Sequence, residues 1–296
     1  MIRLLPGASP KKTLEIITHA AGALASVSSA GTAFDRYNSY LQWATRHGNI
    51  LSHYLHADEM GRLVTTQRYW SLLSLDTSTV QPMTLAELVD GEVTQRSFGL
   101  DDAKRTIEGN LNCWDNGRAV AVVLDTNVWL KHYNDPAGDV DWSQLLDERP
   151  DVPLVLTVPM KVIDELDNLK RNKTTVPKGE VSIRRRASLA LKYLEAKAAM
   201  PGKRSTLQQG TMAGQLPTAT IHLAVLEQPL HQPPIADADL EIIERAGAVA
   251  PYAERVRIVT ADYGMVYRAR QAGLDAVRVK DHEEERNDQR SDLNSK

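Results

Sequence analysis

Apolar residues along the chain change their period near residue 117, and that change divides the sequence. Before it, Tyr37, Tyr40, Leu41, Ala44, Leu51 and Tyr54 recur mostly at three- and four-residue spacings, the mark of an amphipathic helix. Asp101-Asp102 suits the start of a further helix that includes Ile107 and Leu111. Arg68 to Leu73 fits helix or strand, Pro82 and Asp90-Gly91 read as breaks, and Asp115-Asn116-Gly117 is a turn signal at the expected boundary. Residues 1–117 are therefore expected to form a mainly helical domain.

After the boundary, unbroken apolar runs replace the helical stripe. Ala119 to Leu124, rich in β-branched residues, reads as a strand buried on both faces. It is followed by a short helix, a strand Leu154 to Val158, and a helix to about Leu169 with Pro159 at its first position. A helix from about Ser182 to Ala198 and a strand near Thr220 to Leu226 come next. The Pro-rich stretch Gln228 to Pro234 then leads to a helix carrying Asp239. Strand Val256 to Thr260, helix Tyr263 to Gln271 and strand Ala276 to Val279 complete the series. Strands alternating with helices give an α/β domain over 118–280 with a parallel sheet and right-handed crossovers. The tail 281–296, almost free of apolar residues, is expected to be disordered.

Composition narrows the chemistry. A single Cys113 excludes an internal disulfide and any multi-cysteine zinc site. No run has signal-peptide or membrane-spanning length, so no membrane partner and a cytoplasmic location are expected, and the sequon Asn172-Lys173-Thr174 then carries no glycan. There is no Gly-x-Ser-x-Gly, His-Glu-x-x-His or Gly-Lys-Ser/Thr phosphate loop. The net charge of −3 conceals an asymmetry: residues 170–204 hold eleven Lys/Arg against Glu180 and Glu195, a local +9, leaving −12 for the remainder. A basic block of this kind attracts polyanions, although a solvated helix face is an alternative reading.

Four acidic residues stand at strand ends or in the first turns of the helices that follow: Asp125, Glu165, Asp239 and Asp262. Ligands in open parallel sheets bind beyond the carboxyl ends of the strands. Carboxylates gathered there repel unless protonated or neutralised, and an all-oxygen set suits Mg²⁺ or Mn²⁺. Asp125 and Asp262 also suit helix N-caps. Glu165 falls beside the stripe Val162, Leu166, Leu169, where a charge needs a partner. With Asp239 at 0°, Ile242, Ile243 and Ala246 fall at about 300°, 40° and 340°, so Asp239 lies on the apolar face, whereas Asp237 points outward as an N-cap.

The segments Val122 to Asn127, Val162 to Lys170, Asp239 to Ile243, and Ile258 to Asp262 followed by Ala269 to Leu274 resemble the PIN domain family of nucleases, over about residues 118–280. The resemblance implies a Rossmann-like parallel sheet flanked by helices, and a carboxylate pocket holding one or two Mg²⁺ or Mn²⁺ that hydrolyses phosphodiesters, usually in RNA. Asp125, Glu165, Asp239 and Asp262 would be the catalytic, metal-holding residues, with Thr126, Asn127 and Thr260 supporting them. Lys170, Arg171, Lys173, Arg184, Arg185 and Arg186 would grip the nucleic-acid backbone. Ala261 stands where many members carry a polar residue, and residues 1–117 resemble no family. The competing readings are a noncatalytic PIN scaffold that binds RNA or a protein, and a structure-selective DNA nuclease. Cleavage specificity, homo-oligomerisation and an antitoxin or other protein partner are left open by the sequence.

Overall fold

Val120 to Leu124 form β1, and every residue of it is buried, as expected for a central strand covered on both faces. This strand lies in a computed structural model that describes residues 1–29, 31–171, 181–198, 203–211, 218–226, 228 and 235–280. The Pro-rich stretch 229–234, the basic loop with Lys173 and the sequon, and the tail 281–296 lie outside the described residues. The chain divides into two compact units, Met1–Leu111 and Asn112–Lys296.

The first unit is helical: α1 (Pro10–Ala25), α2 (Ala33–Leu51), α3 (Ala57–Leu63), α4 (Gln67–Leu73) and α5 (Pro82–Cys113). The ambiguous segment Arg68 to Leu73 is thus helix, capped by the Thr66 hydroxyl. Two expectations are corrected in α5. Asp90-Gly91 does not break it and Asp101-Asp102 does not start a new helix, because both pairs lie inside one helix of 32 residues. Its buried stripe, Leu85, Val89, Glu92, Val93, Arg96, Leu100, Ala103, Ile107, continues past both pairs. A mid-helix glycine costs only about 1 kcal/mol, too little to outweigh that packing. Pro82 marks the first residue of α5, where its missing N–H is no loss. Glu92, fully buried, accepts hydrogen bonds from the Tyr40 hydroxyl (3.1 Å) and Thr66 Oγ1 (2.9 Å) and pairs with Arg96.

The second unit is an α/β sandwich. Its sheet contains β1, β2 (Leu154–Pro159), β3 (Arg204–Gln208), β4 (Ile221–Leu226), β5 (Arg255–Thr260) and β6 (Asp275–Arg278), in the order β3-β4-β2-β1-β5-β6. All pairings are parallel except β3 with β4. The helices are α6 (Thr126–Lys131), α7 (Trp142–Leu146), α8 (Met160–Arg171), α9 (Ile183–Lys197), α10 (Ala238–Val249) and α11 (Tyr263–Gln271). Pro159 closes β2 instead of opening α8, and β3 and α7 are absent from the sequence reading. The connection from β1 turns one way, to β2, whereas β5 flanks β1 on the other side, so the crevice at the end of β1 lies at a switch point of the sheet. No helix among the described residues is long and apolar enough to cross a membrane.

At the antiparallel edge, His222 of β4 is buried with its Nδ1 3.1 Å from Thr206 Oγ1. Burial, and then the nearby Arg204 cation, push its pKa down to about 4, against a lesser opposing pull from Asp115. His222 therefore stays neutral in the fold while the unfolded chain protonates near 6.5. The unfolded state binds more protons across that interval, so the unit should lose stability as pH falls from about 6.5 toward about 4. Urea titrations of wild type and His222→Gln at pH 7 and 4.5 check this: the variant should lose less of its midpoint on acidification than the wild type.

Candidate active site

The pocket is built where β1 and β5 end together. The Asp125 N–H donates to Val259 O (3.0 Å), which fixes the first carboxylate beside the last residue of β5. Asp125 is 6% exposed. Its Oδ1 accepts from the Thr126 N–H (2.6 Å), capping α6, and its Oδ2 accepts from the Thr260 hydroxyl (2.8 Å). Thr260 Oγ1 in turn accepts from the Asp262 N–H (3.0 Å), so one buried hydroxyl joins the Asp125 and Asp262 segments. Asp262 uses Oδ1 to cap α11 through the Gly264 and Met265 N–H groups. Both residues are thus helix caps as well as pocket groups.

The other two carboxylates arrive on helices. Glu165, half-buried on α8 beside Val162 and Leu166, accepts from the Thr126 hydroxyl through Oε2. Asp239, in the first turn of α10, is half-buried, while Asp237 is exposed and caps the helix by accepting from the Leu240 N–H (3.1 Å). Asp239 Oδ2 is paired with the Arg268 guanidinium of α11. Burial pushes the Asp125 pKa up to about 6; the hydrogen bonds from Thr260 and Thr126 oppose that rise, and the charges of Asp239 and Glu165 add to it. Asp125, Glu165 and Asp239 therefore share one electrostatic neighbourhood, to which Asp262 is linked through Thr260.

Asn127 is exposed on α6 and makes no side-chain hydrogen bond among the described residues, so only Thr126 and Thr260 of the three expected supporting groups touch a carboxylate. Lys170 and Arg171 are exposed but both pair with Asp167. Arg184 and Arg185 are exposed at the start of α9; Arg186 is half-buried. Arg268 is the group that sequence reasoning missed. The signal was Gly264 four residues earlier: a Cβ there would stand 3.3 Å from Arg268 Nη2 and 3.1 Å from Asp262 Oδ1, so the glycine leaves room for the arginine to fold back along α11.

A PIN domain model matches residues 122–280, more than half the chain and the whole span that contributes these carboxylates. The chain belongs to the PIN domain family. Comparison with curated proteins and with solved structures returned no match. PIN domains are nucleases as a family and typically use divalent metals. In this PIN domain no three His, Cys, Asp or Glu side chains among the described residues are drawn closely enough to enclose an ion as they stand. The donor chemistry nonetheless fits one. The pocket is lined by carboxylate and hydroxyl oxygens, the charges of Asp239 and Glu165 add to the proton affinity of Asp125, and a guanidinium pairs with Asp239.

Asp125 in the metal-free protein should titrate near pH 6, read from its side-chain carboxyl carbon by NMR. Because its folded pKa lies above the unfolded value, its favourable contribution to stability is fully present below about 3.8 and is lost as pH rises through about 6. Thr260→Val keeps the shape but removes a donor to the charged form, so the Asp125 titration should move higher still. An unmoved or lower value would mean that the hydroxyl does not stabilise the carboxylate.

Proposed function

We propose that this PIN domain is a metal-dependent ribonuclease. The observation that carries the reading is the convergence of Asp125, Glu165 and Asp239, with Asp262 tied in through Thr260, beyond the carboxyl ends of the adjacent strands β1 and β5. Asp125, Glu165, Asp239 and Asp262 would hold Mg²⁺ or Mn²⁺. When bound, the ion would supply positive charge against the phosphate and the acidity that activates water. Thr126 and Thr260 orient Glu165 and Asp125 by donating to them, a role like that of the outer partners that fix metal ligands. Arg268 balances Asp239 and stands ready beside an incoming phosphate. Arg184 and Arg185, exposed at the start of α9, supply charge for a polyanionic backbone.

RNA is the favoured substrate because the family resemblance implies it. A noncatalytic scaffold draws support from the Arg268 pairing, which occupies one candidate ligand. One experiment separates these readings. Purified protein is incubated with labelled single- and double-stranded RNA and DNA in Mn²⁺, Mg²⁺ or EDTA, and its thermal unfolding is followed in the same buffers. Wild type should cleave RNA only with metal and should melt higher in Mn²⁺ than in EDTA, since a ligand of the native state stabilises it. Asp125→Asn and Asp239→Asn should abolish both effects. Asp237→Asn should keep both, losing at most a capping contribution of about 1 kcal/mol. Cleavage in EDTA, or by folded Asp125→Asn, would end the proposal. Metal stabilisation without cleavage would favour the scaffold, and cleavage of DNA alone the structure-selective DNA nuclease.

A further inference from the structure

The helix that opens at Asp262 leaves one face largely exposed among the described residues. Met265, Val266 and Ala269 of α11 are buried, as packing on the sheet requires. On the opposite stripe, Tyr263 and Tyr267 are 60% and 69% exposed, one helical turn apart, and Arg270 is exposed one turn further on. A single exposed aromatic ring is ordinary. Two in register, starting at the residue after a pocket carboxylate, form a track that leads out of the pocket.

The first ring is held in place. The Arg278 guanidinium carbon of β6 lies 3.8 Å from the centroid of the Tyr263 ring, and Arg278 Nε donates to Ala261 O (3.2 Å), so the cation is tied to the backbone just before Asp262. Such a cation–π contact rigidifies the ring and brings positive charge to the track. Arg270 adds a second charge at its far end and has no ion-pair partner among the described residues. Flat aromatic faces interleaved with arginines beside a phosphodiester-cleaving pocket match unpaired nucleotides, whose bases stack on tyrosine while the phosphates meet the cations. A duplex keeps its base faces covered and has nothing to offer the rings.

We propose that Tyr263 and Tyr267 form a stacking track that seats successive unpaired bases of an RNA strand at the mouth of the acidic pocket. The inference rests on the ribonuclease reading and names two residues that position its substrate. Tyr263→Phe and Tyr267→Phe should preserve the track, because the ring and not the hydroxyl carries the stacking.

Anisotropy titration of full-length protein in EDTA, with a labelled uridine 12-mer and with the same strand annealed to its complement, tests this in the absence of cleavage. Each Tyr→Ala change should weaken single-strand binding by about 5- to 150-fold, the effect of losing one stacked base, and leave duplex binding unchanged. Wild-type binding of the single strand by Tyr263→Ala/Tyr267→Ala, or an equal loss for single strand and duplex, would overturn the proposal. A changed mass in solution with strand binding intact would assign the rings to a protein contact and overturn it equally. Failure of the ribonuclease reading looks different: the wild type would bind the single strand through the tyrosines in EDTA yet leave it uncleaved in Mn²⁺.

Discussion

Charge at the end of a buried strand is the constraint on which this PIN domain is built. β1 has no solvent on either face, and the chain leaves it at an aspartate. A carboxylate in that position loses hydration that nothing apolar can replace, so the surrounding structure has to supply donors. The Thr126 amide and the Thr260 hydroxyl do so, and the second of these fixes how the end of β5 must meet the end of β1. Asp262 then follows from Thr260, and α11 from Asp262, whose oxygen caps it. The pocket and the local fold are one set of hydrogen bonds.

That set also shapes the electrostatics. Asp125 ionises reluctantly because it is buried, and the charges of Asp239 and Glu165 add to that effect. The protein answers the excess charge in two ways, with hydroxyl donors on Asp125 and Glu165 and a guanidinium on Asp239. A bound cation would extend the same compensation to all of them, which is why a pocket that encloses no ion by itself is still chemically suited to one.

The parts of this arrangement that the sequence displayed are those with strong local signals. The continuous apolar run of β1 announces a central strand, and the phase of Ile242, Ile243 and Ala246 separates Asp239 from its exposed neighbour Asp237. What stayed hidden depended on tertiary partners. β3, Arg204-Ser205-Thr206-Leu207-Gln208, has no apolar run because it is an edge strand, half-buried along most of its length. Asp90-Gly91 resembles a turn, yet long-range packing of the α5 stripe carries the helix through it. Arg268 looks like an ordinary exposed helix charge until α10 brings Asp239 to it. Pro159 could end a strand as well as begin a helix, since its missing N–H is tolerated in both positions.

The four carboxylates are scattered from position 125 to position 262, and this has a consequence for the chain during its own synthesis. A protein made at about 5–20 residues per second exposes Asp125 on the order of ten seconds before Asp262 leaves the ribosome. Until β5 arrives, β1 lacks one neighbour and Asp125 lacks the Thr260 hydroxyl. A nascent chain that ends before Thr260 lacks the hydroxyl that joins the Asp125 and Asp262 segments, so the four carboxylates come together only after β5 has followed β1 out of the ribosome.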